Sequence, residues 1–400
     1  MGGSVVEELV SKLIDSASKE ADAAEAFLLK REETLASFEG NRLKFVETKE
    51  VRGIALRIIR EGRLGFSTTT RIEDVHGLLK NAVESSEFGV PAKFSFPGKY
   101  EGELPSPRIF DEGIVELSPP ELVRSGEVAI STITSFDPEI KCEGGFTREV
   151  EEVILANTAG FEGRYRRTLV DGGVEATLVE ANDILSVYGY ISSPVRNLDF
   201  KGLGEEIAEK ISLAKRIVPI RTAQMPVIFT PKAMLSLLLA FKVALSGKMV
   251  FQGASPLGDK LGQKVFDERL SIYDDGVADF GTNSAPFDDE GVYCRRTPLI
   301  EKGVVKNFYY DLQTAGLAGK ESTGNGIRAG RTEERSFEGQ PTPSSTNLII
   351  PAGDMRFEDM VGGLDEGLIV EQVMGAGQGN ELSGAFSMKV KQGYKVEKGK

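Results

Sequence analysis

The chain is poor in the residues that most often carry metal and redox chemistry. It has one histidine, His76, two cysteines and no tryptophan in 400 residues. With a single histidine, it cannot hold zinc through a His-Glu-x-x-His motif or any other set of several histidines. Cys142 and Cys294 lie far apart and have no Cys-x-x-Cys partner, so neither a disulfide framework nor a cysteine-rich metal site is expected. No nucleophile motif lies near His76, which we predict to be a surface or boundary residue of a helix.

Long apolar runs and an excess of basic residues are also missing. The longest apolar run, residues 233–244, contains Lys242 and is much shorter than the roughly 20 residues that cross a bilayer, so it predicts a buried helix instead. The first residues lack the basic and apolar regions of a signal peptide, and we expect a cytoplasmic protein. The net charge of −13 would repel the phosphates of nucleic acids. Neither a membrane nor a nucleic acid is therefore an expected partner.

Hydrophobic periodicity predicts an α+β fold. In the first 220 residues, apolar residues at helical spacing alternate with strand-like runs and glycine-containing turns, which indicates antiparallel sheets covered by helices. The plan of helix, strands and helix occurs twice, although no sequence repeat is visible. Short β runs beyond residue 221 predict a mostly antiparallel, β-rich C-terminal domain. The predicted domains are 1–220 and 221–400, with a further boundary in the proline-rich stretch 90–118. The predicted helices cover 5–17, 70–84, 119–132, 203–214 and 231–244, and the predicted strands include 25–29, 35–38, 51–59, 64–67, 150–156, 163–169, 174–190, 304–310 and 368–374.

Two glycine-rich segments partly match nucleotide-binding motifs. Residues 253–260 have the glycine spacing of a phosphate loop but carry Asp259 where that loop needs lysine. Residues 375–379 follow an apolar run but lack the spacing of a dinucleotide fingerprint. The second segment is either a β-rich corner or bare backbone that a bound chain can approach closely.

Clusters of like charge are predicted to be solvated. The acidic groups at 274–275, 288–290 and 365–366 match no calcium loop and are flanked by glycine, so turns in water are expected. The basic segments 164–167 and 328–331 are short and have acids nearby. They are predicted to be solvated faces, with binding of a peptide carboxylate as the alternative.

The C-terminal half contains an ordered series of motifs between Ser255 and Gly326. With the N-terminal stretch from Gly53, this series resembles the TldD/PmbA family, and the resemblance covers most of the chain. The motifs are Ser-Ile-Tyr-Asp-Asp-Gly from Ser271, Asp-Asp-Glu-Gly from Asp288, Leu-Ile-Glu-Lys-Gly-Val from Leu299 and Ser-Thr-Gly-Asn-Gly from Ser322.

The family contains two kinds of chain, and this one is similar to the kind without metal ligands. TldD-like chains hold zinc through a His-Glu-x-x-x-His helix and a later cysteine, whereas TldE (PmbA)-like chains lack both. At the position of the zinc helix, residues 233–241 contain no histidine, cysteine or acidic residue. The resemblance therefore identifies a TldE (PmbA)-like subunit.

The resemblance implies a non-catalytic subunit of a cytoplasmic TldD/TldE-type zinc metallopeptidase that acts on unfolded or short peptides. No cofactor is expected in this chain, because zinc would be held by a TldD-like partner; the other expected partner is a second copy of the chain. Bound peptide would be extended and would pair with backbone. The family also implies a further strand beyond Lys400, so we expect a shortened C-terminus. The candidate cleft residues are Gly324, Asn325, Gly326, Gly375, Gly377, Gly379, Ser383 and Gly384.

Three alternatives stay open on the sequence. The first is a homodimeric peptide-binding or regulatory protein without proteolytic activity. The second is a modulator of a topoisomerase, a label attached to the family, which the net charge of −13 disfavours. The third is an independent hydrolase that uses carboxylates or Cys294.

Overall fold

The computed structural model describes residues 3–180, 183–329, 335–375 and 387–400. The predicted α+β class is confirmed: a six-stranded antiparallel sheet carries helices on one face and the strand-rich C-terminal region on the other. The helices are α1 (Gly3–Ala17), α2 (Val75–Ser86), α3 (Glu112–Val115), α4 (Pro119–Phe136), α5 (Phe200–Ala214), α6 (Pro231–Ala244), α7 (Gly247–Phe251), α8 (Leu312–Ala318) and α9 (Phe357–Gly362). The strands are β1 (Ala23–Glu39), β2 (Arg42–Arg60), β3 (Arg63–Thr69), β4 (Lys141–Asn157), β5 (Glu162–Glu180), β6 (Asp183–Ser193), β7 (Val227–Phe229), β8 (Ile272–Asp275), β9 (Arg296–Glu301), β10 (Val304–Val305), β11 (Gly326–Arg328), β12 (Pro341–Pro343), β13 (Leu348–Ile349), β14 (Glu366–Met374) and β15 (Lys389–Glu397).

The six-stranded sheet consists of two similar halves. Its strand order is β3-β2-β1-β4-β5-β6, so β1 and β4 pair at the centre. In the first half α1 precedes the strands and α2 follows them, whereas in the second half α3 and α4 precede the strands and α5 follows them. In the first half Ala23 pairs with Ile59, and in the second half Lys141 pairs with Thr177. Each residue of the second pair lies 118 positions after its counterpart in the first pair. The repeated plan seen in the sequence thus forms one continuous sheet.

Alternation along the strands assigns each side chain to one face of this sheet. On β1, Ala26 and Leu28 pack with α1 and α2, whereas Phe27 and Leu29 join Phe287 of the C-terminal region. The side-chain period of two in a strand explains this division. We call the side that meets the C-terminal region the inner face.

The C-terminal region consists of small sheets around the inner face. Strands β10-β9-β8-β13 form one antiparallel sheet, and β11 pairs with β12. A third sheet has the order β15-β14-β7, in which β7 runs parallel to β14. The predicted antiparallel character therefore holds for this region except at the pairing of β7 with β14.

Some predicted elements differ from those observed. Helix α2 begins at Val75 rather than near residue 70, because Asp74 and not a threonine caps it by accepting the Gly77 N–H at 2.9 Å. The strand predicted at 304–310 contains only Val304–Val305 as a strand. His76 is exposed on α2, as predicted.

Within the described ranges, every helix is too short or too polar to span a bilayer.

Candidate functional site

Part of the inner face is sealed by buried ion pairs with the C-terminal region. Arg57 binds Glu25 at 3.0 Å and Glu290 at 2.6 Å, and Arg328 binds Glu25 at 2.6 Å. None of these four side chains is more than 3% exposed. Burial raises the pKa of Glu290, and the Arg57 guanidinium opposes that shift. Each buried charge here has an opposite charge in contact, as burial requires.

A second buried network lies next to the first. Glu151 is fully buried and binds Arg31 at 2.6 Å and Arg167 at 2.7 Å. Burial alone would raise the pKa of Glu151, but Arg167, Arg335 and Arg31 together lower it to about 2. These arginines come from β1, β5 and the C-terminal region, so the network holds the two parts of the chain together.

The acidic groups predicted to be solvated turns are mostly interior, and that prediction was wrong for two of the three. Asp288, Asp289 and Glu290 are fully buried and Asp274 is 2% exposed, whereas Asp365 is exposed. Asp288 accepts the N–H groups of Glu290, Val292 and Gly326, which orders the turn around its carboxylate. The basic segment at 328–331 was also predicted to be solvated, yet Arg328 is fully buried.

The candidate cleft residues Gly324, Asn325 and Gly326 lie inside this acidic region. Asn325 Nδ2 donates to Asp274 Oδ2 at 2.6 Å and to the Ser344 carbonyl at 3.0 Å, and the Gly326 N–H donates to Asp288 Oδ2 at 2.8 Å. Gly375 directly follows β14 and has a φ of +81°. The other four candidates, Gly377, Gly379, Ser383 and Gly384, lie outside the described residues.

The remaining part of the inner face opens into a cleft beside α6. Here β5 and β6 face α6, β14 and β15 across a cavity of about 400 Å³, within the range of small-molecule sites. We call this the α6 cleft. Its lining residues are Glu175, Tyr188, Lys232, Ser236, Glu371, Gln372, Val373, Met374 and Lys391.

Helix α6 is positioned by the strand before it and by its cap. Strand β7 pairs with β14, and Thr230 then caps the helix by accepting the Ala233 N–H at 3.3 Å, with Pro231 as the first helical residue. Contrary to the buried helix predicted, α6 buries only its ends, at Ala233 and Ala244. Leu235 is 64% exposed and Leu239 48%. The helix is largely apolar but only partly covered.

Lys232 is the unusual charge of the α6 cleft. It is half-buried, donates to the Tyr188 carbonyl and lies 5.3 Å from the centre of the Tyr188 ring. Burial, reinforced by Lys210, lowers the pKa of Lys232. Sequence reasoning did not select Lys232, because a lysine at the start of an apolar helix belongs to no known motif.

Asp171 occupies the same face of β5 four residues before Glu175, about 13 Å away along the strand at its usual rise. Burial, together with the nearby carboxylates of Glu149 and Glu33, raises the pKa of Asp171 to about 7. A carboxyl with a raised pKa therefore lies on the same face of β5 as the cleft residue Glu175.

The residues of α6 do not fit a zinc ion. Lys232 and Lys242 are its only charged side chains, and neither an ammonium nor a leucine is a zinc ligand. Among the described residues, no group of three or more histidine, cysteine, aspartate or glutamate side chains could hold a metal. Cys294 is no candidate nucleophile either, since burial raises its pKa well above the usual value.

The chain matches three family descriptions in order along its length. These are the PmbA/TldA metallopeptidase domain 1 over residues 24–86, the central domain over 113–214 and the C-terminal domain over 222–400. The chain belongs to the PmbA/TldD family. The resemblance recognised in its motifs is thus confirmed.

Two relatives that match along almost the whole chain have a TldE or a PmbA name. TldE from Thermococcus kodakarensis superimposes with a TM-score of 0.89 at 25% identity, covering 98% of this chain and 88% of that one. Metalloprotease PmbA of Escherichia coli O157:H7 is 24% identical over 99% of this chain and 85% of its own length. The metalloprotease TldD homolog of Haemophilus influenzae is 33% identical, but over only 35% of this chain and 28% of its own length.

Proposed function

We propose that this chain is the non-catalytic, peptide-binding subunit of a TldD/TldE-type peptidase, with zinc held by a TldD-like partner in the cytoplasm. The observation that carries this proposal is α6, which borders the α6 cleft of a metallopeptidase-family fold with lysine and leucine in place of metal ligands. In this proposal the partner supplies the hydrolysis, and this chain holds part of the substrate.

The exposed side of α6 supports contact with a partner. Leu235 and Leu239 are four residues apart and both point into solvent, which places two large apolar groups next to each other on one helix face. Apolar side chains grouped in this way favour a protein interface. We propose that the zinc subunit covers this side of the helix.

Reconstitution with a TldD-like chain from the same organism tests the proposal. We expect cleavage of a fluorescently labelled unfolded peptide only when both chains are present, and loss of cleavage after chelation of zinc. Metal analysis should find zinc in the partner and none in this chain. Cleavage or stoichiometric zinc binding by this chain alone would overturn the assignment.

A matched pair of variants examines the contact in the same experiment. Leu235→Glu should abolish co-purification with the zinc subunit, because it places a charge in the proposed interface. Leu213→Glu on α5 changes a leucine that is 53% exposed and should leave co-purification unchanged. Equal effects of the two would exclude α6 from the contact.

The second candidate is a homodimeric peptide-binding protein without proteolytic activity. It is favoured by the α6 cleft, whose lining comes from one chain and so needs no partner for peptide binding. Light scattering with and without the zinc subunit distinguishes the candidates. A stable homodimer that binds peptide and forms no complex with the zinc subunit would establish the second.

A further inference from the structure

We propose that the α6 cleft recognises the C-terminal carboxylate of its peptide through the ammonium group of Lys232. This inference rests on the proposed peptide-binding function and names which part of the peptide is bound. It depends on the charges that line the cleft and on how they are paired.

Most charges in and around the α6 cleft already have partners. Glu371 binds Lys210 at 2.5 Å, and Lys391 lies 3.5 Å from Glu175. Glu175 also accepts from the Ser186 hydroxyl. Among the described residues, Lys232 has no carboxylate within 4.0 Å, since its contacts are the carbonyl and ring of Tyr188. The cleft therefore holds one cation that a ligand can neutralise.

The surroundings of Lys232 suit a carboxylate. The ammonium is half-buried beside an aromatic ring, so an ion pair formed there is screened less than one in water. Ser236 lies one helical turn further along α6 and lines the same cavity, which puts a hydroxyl donor on the same helix face. Ammonium and hydroxyl together can bind the two oxygens of one carboxylate.

The size of the cleft favours the end of a peptide over an internal segment. A cavity of about 400 Å³ lies near the lower end of the range for small-molecule sites. A C-terminal carboxylate can reach Lys232 when only the last residues of the peptide enter the cleft. An internal acidic side chain can reach it only if the cleft also accommodates the peptide backbone on both sides of that residue. We therefore assign the site to the terminal carboxylate.

Binding of matched peptides tests this assignment without a peptidase assay. The probe is a short, uncharged, fluorescein-labelled peptide prepared with a free C-terminal acid and with a C-terminal amide, titrated by fluorescence anisotropy. We expect the acid to bind about tenfold or more tightly than the amide, as a charge-assisted contact provides. Lys232→Met should remove this preference while leaving amide binding within about twofold.

Two further variants separate recognition from folding. Lys232→Arg keeps the positive charge and should keep the preference for the acid. Lys242→Met removes a lysine from the same helix that does not line the cavity and should also keep it. A preference that survives Lys232→Met, or is lost equally in Lys242→Met, overturns the proposal.

A third peptide, amidated and carrying one internal glutamate, distinguishes an end from a side chain. Binding as tight as that of the free acid would show that the cleft binds any carboxylate, and would overturn the assignment to the C-terminal carboxylate. Equal binding of acid and amide by the parent protein would overturn this inference and leave the peptide-binding function standing. If no peptide binds, both fail.

Discussion

The sealed part of the inner face and the α6 cleft lie on the same six-stranded sheet, but their charged side chains differ in whether an oppositely charged group is in contact. In the sealed part, Glu25 contacts two arginines and Glu151 contacts three. Beside the cleft, Asp171 has carboxylates rather than a cation nearby, and Lys232 has no carboxylate in contact among the described residues. Buried charges that are paired hold the fold together, and we propose that Lys232, which lines the cleft, binds a ligand instead.

Removal of one residue of a buried ion pair in the sealed part should lower the free energy of unfolding more than the other substitutions below. Arg328→Met leaves the buried Glu25 carboxylate with Arg57 alone, and we expect the free energy of unfolding to fall by about 3–5 kcal/mol. Urea titration measures the change. Arg221→Met breaks a pair of 2.6 Å with Glu366 in which Arg221 is 67% exposed, and it should cost far less, because water screens an exposed pair. Similar losses in both variants would contradict the structural role given to the buried pairs.

A methyl group added at Gly326 should have an intermediate effect. Its Cβ would lie 2.2 Å from Glu290 Oε2, the oxygen that accepts the Leu312 N–H at 2.6 Å. We expect Gly326→Ala to reduce stability by about 1–3 kcal/mol, because the carboxylate must move in a packed interior. Gly353→Ala is the control, since nothing lies within 4 Å of its Cβ, and no loss is expected. An unchanged unfolding midpoint for Gly326→Ala would show that the sealed part is loosely packed.

A change of similar size but opposite sign is expected at Asp171, on the strand that also provides the cleft residue Glu175. Asp171 holds its proton up to about pH 7 in the folded protein, whereas an unfolded aspartate loses it near pH 4. Stability therefore falls as the pH rises from about 4 to 7, because the folded state binds more protons. Asp171→Asn should remove this fall and be more stable than the parent by roughly 1–3 kcal/mol at pH 8, after allowance for partial solvation. A gain of equal size at pH 4 and pH 8 would exclude titration of Asp171 as its cause.

Local patterns predicted most helices and the meander of strands, because side-chain periodicity reflects which face is buried. The buried acidic turns were not predictable in this way. The Asp-Asp-Glu-Gly segment from Asp288 has the composition of a solvated turn, and the arginine that neutralises Glu290 is Arg57, 233 residues away. Only the pairing of distant strands brings such charges together.

The candidate site was predicted only in outline. The family motifs pointed to α6, and the absence of metal ligands there could be read from residues 233–241. The same apolar run led to the wrong prediction of a buried helix, because hydrophobicity alone does not distinguish a core helix from one that stays partly exposed. Lys232 and Asp171 acquire their altered environments from strands far away in sequence.

The pairing of β1 with β4 has a consequence for the order of events during synthesis. Strands β1 to β3 and the helices around them can assemble as soon as they leave the ribosome, since they are contiguous. The other edge of β1 has no native neighbour until β4 has been synthesised. Glu25, for example, pairs with Asn157 of β4 in the folded protein. An open edge of this kind is a template for mispairing. The nascent chain is thus most prone to mispairing when its first half has been synthesised and its second half has not.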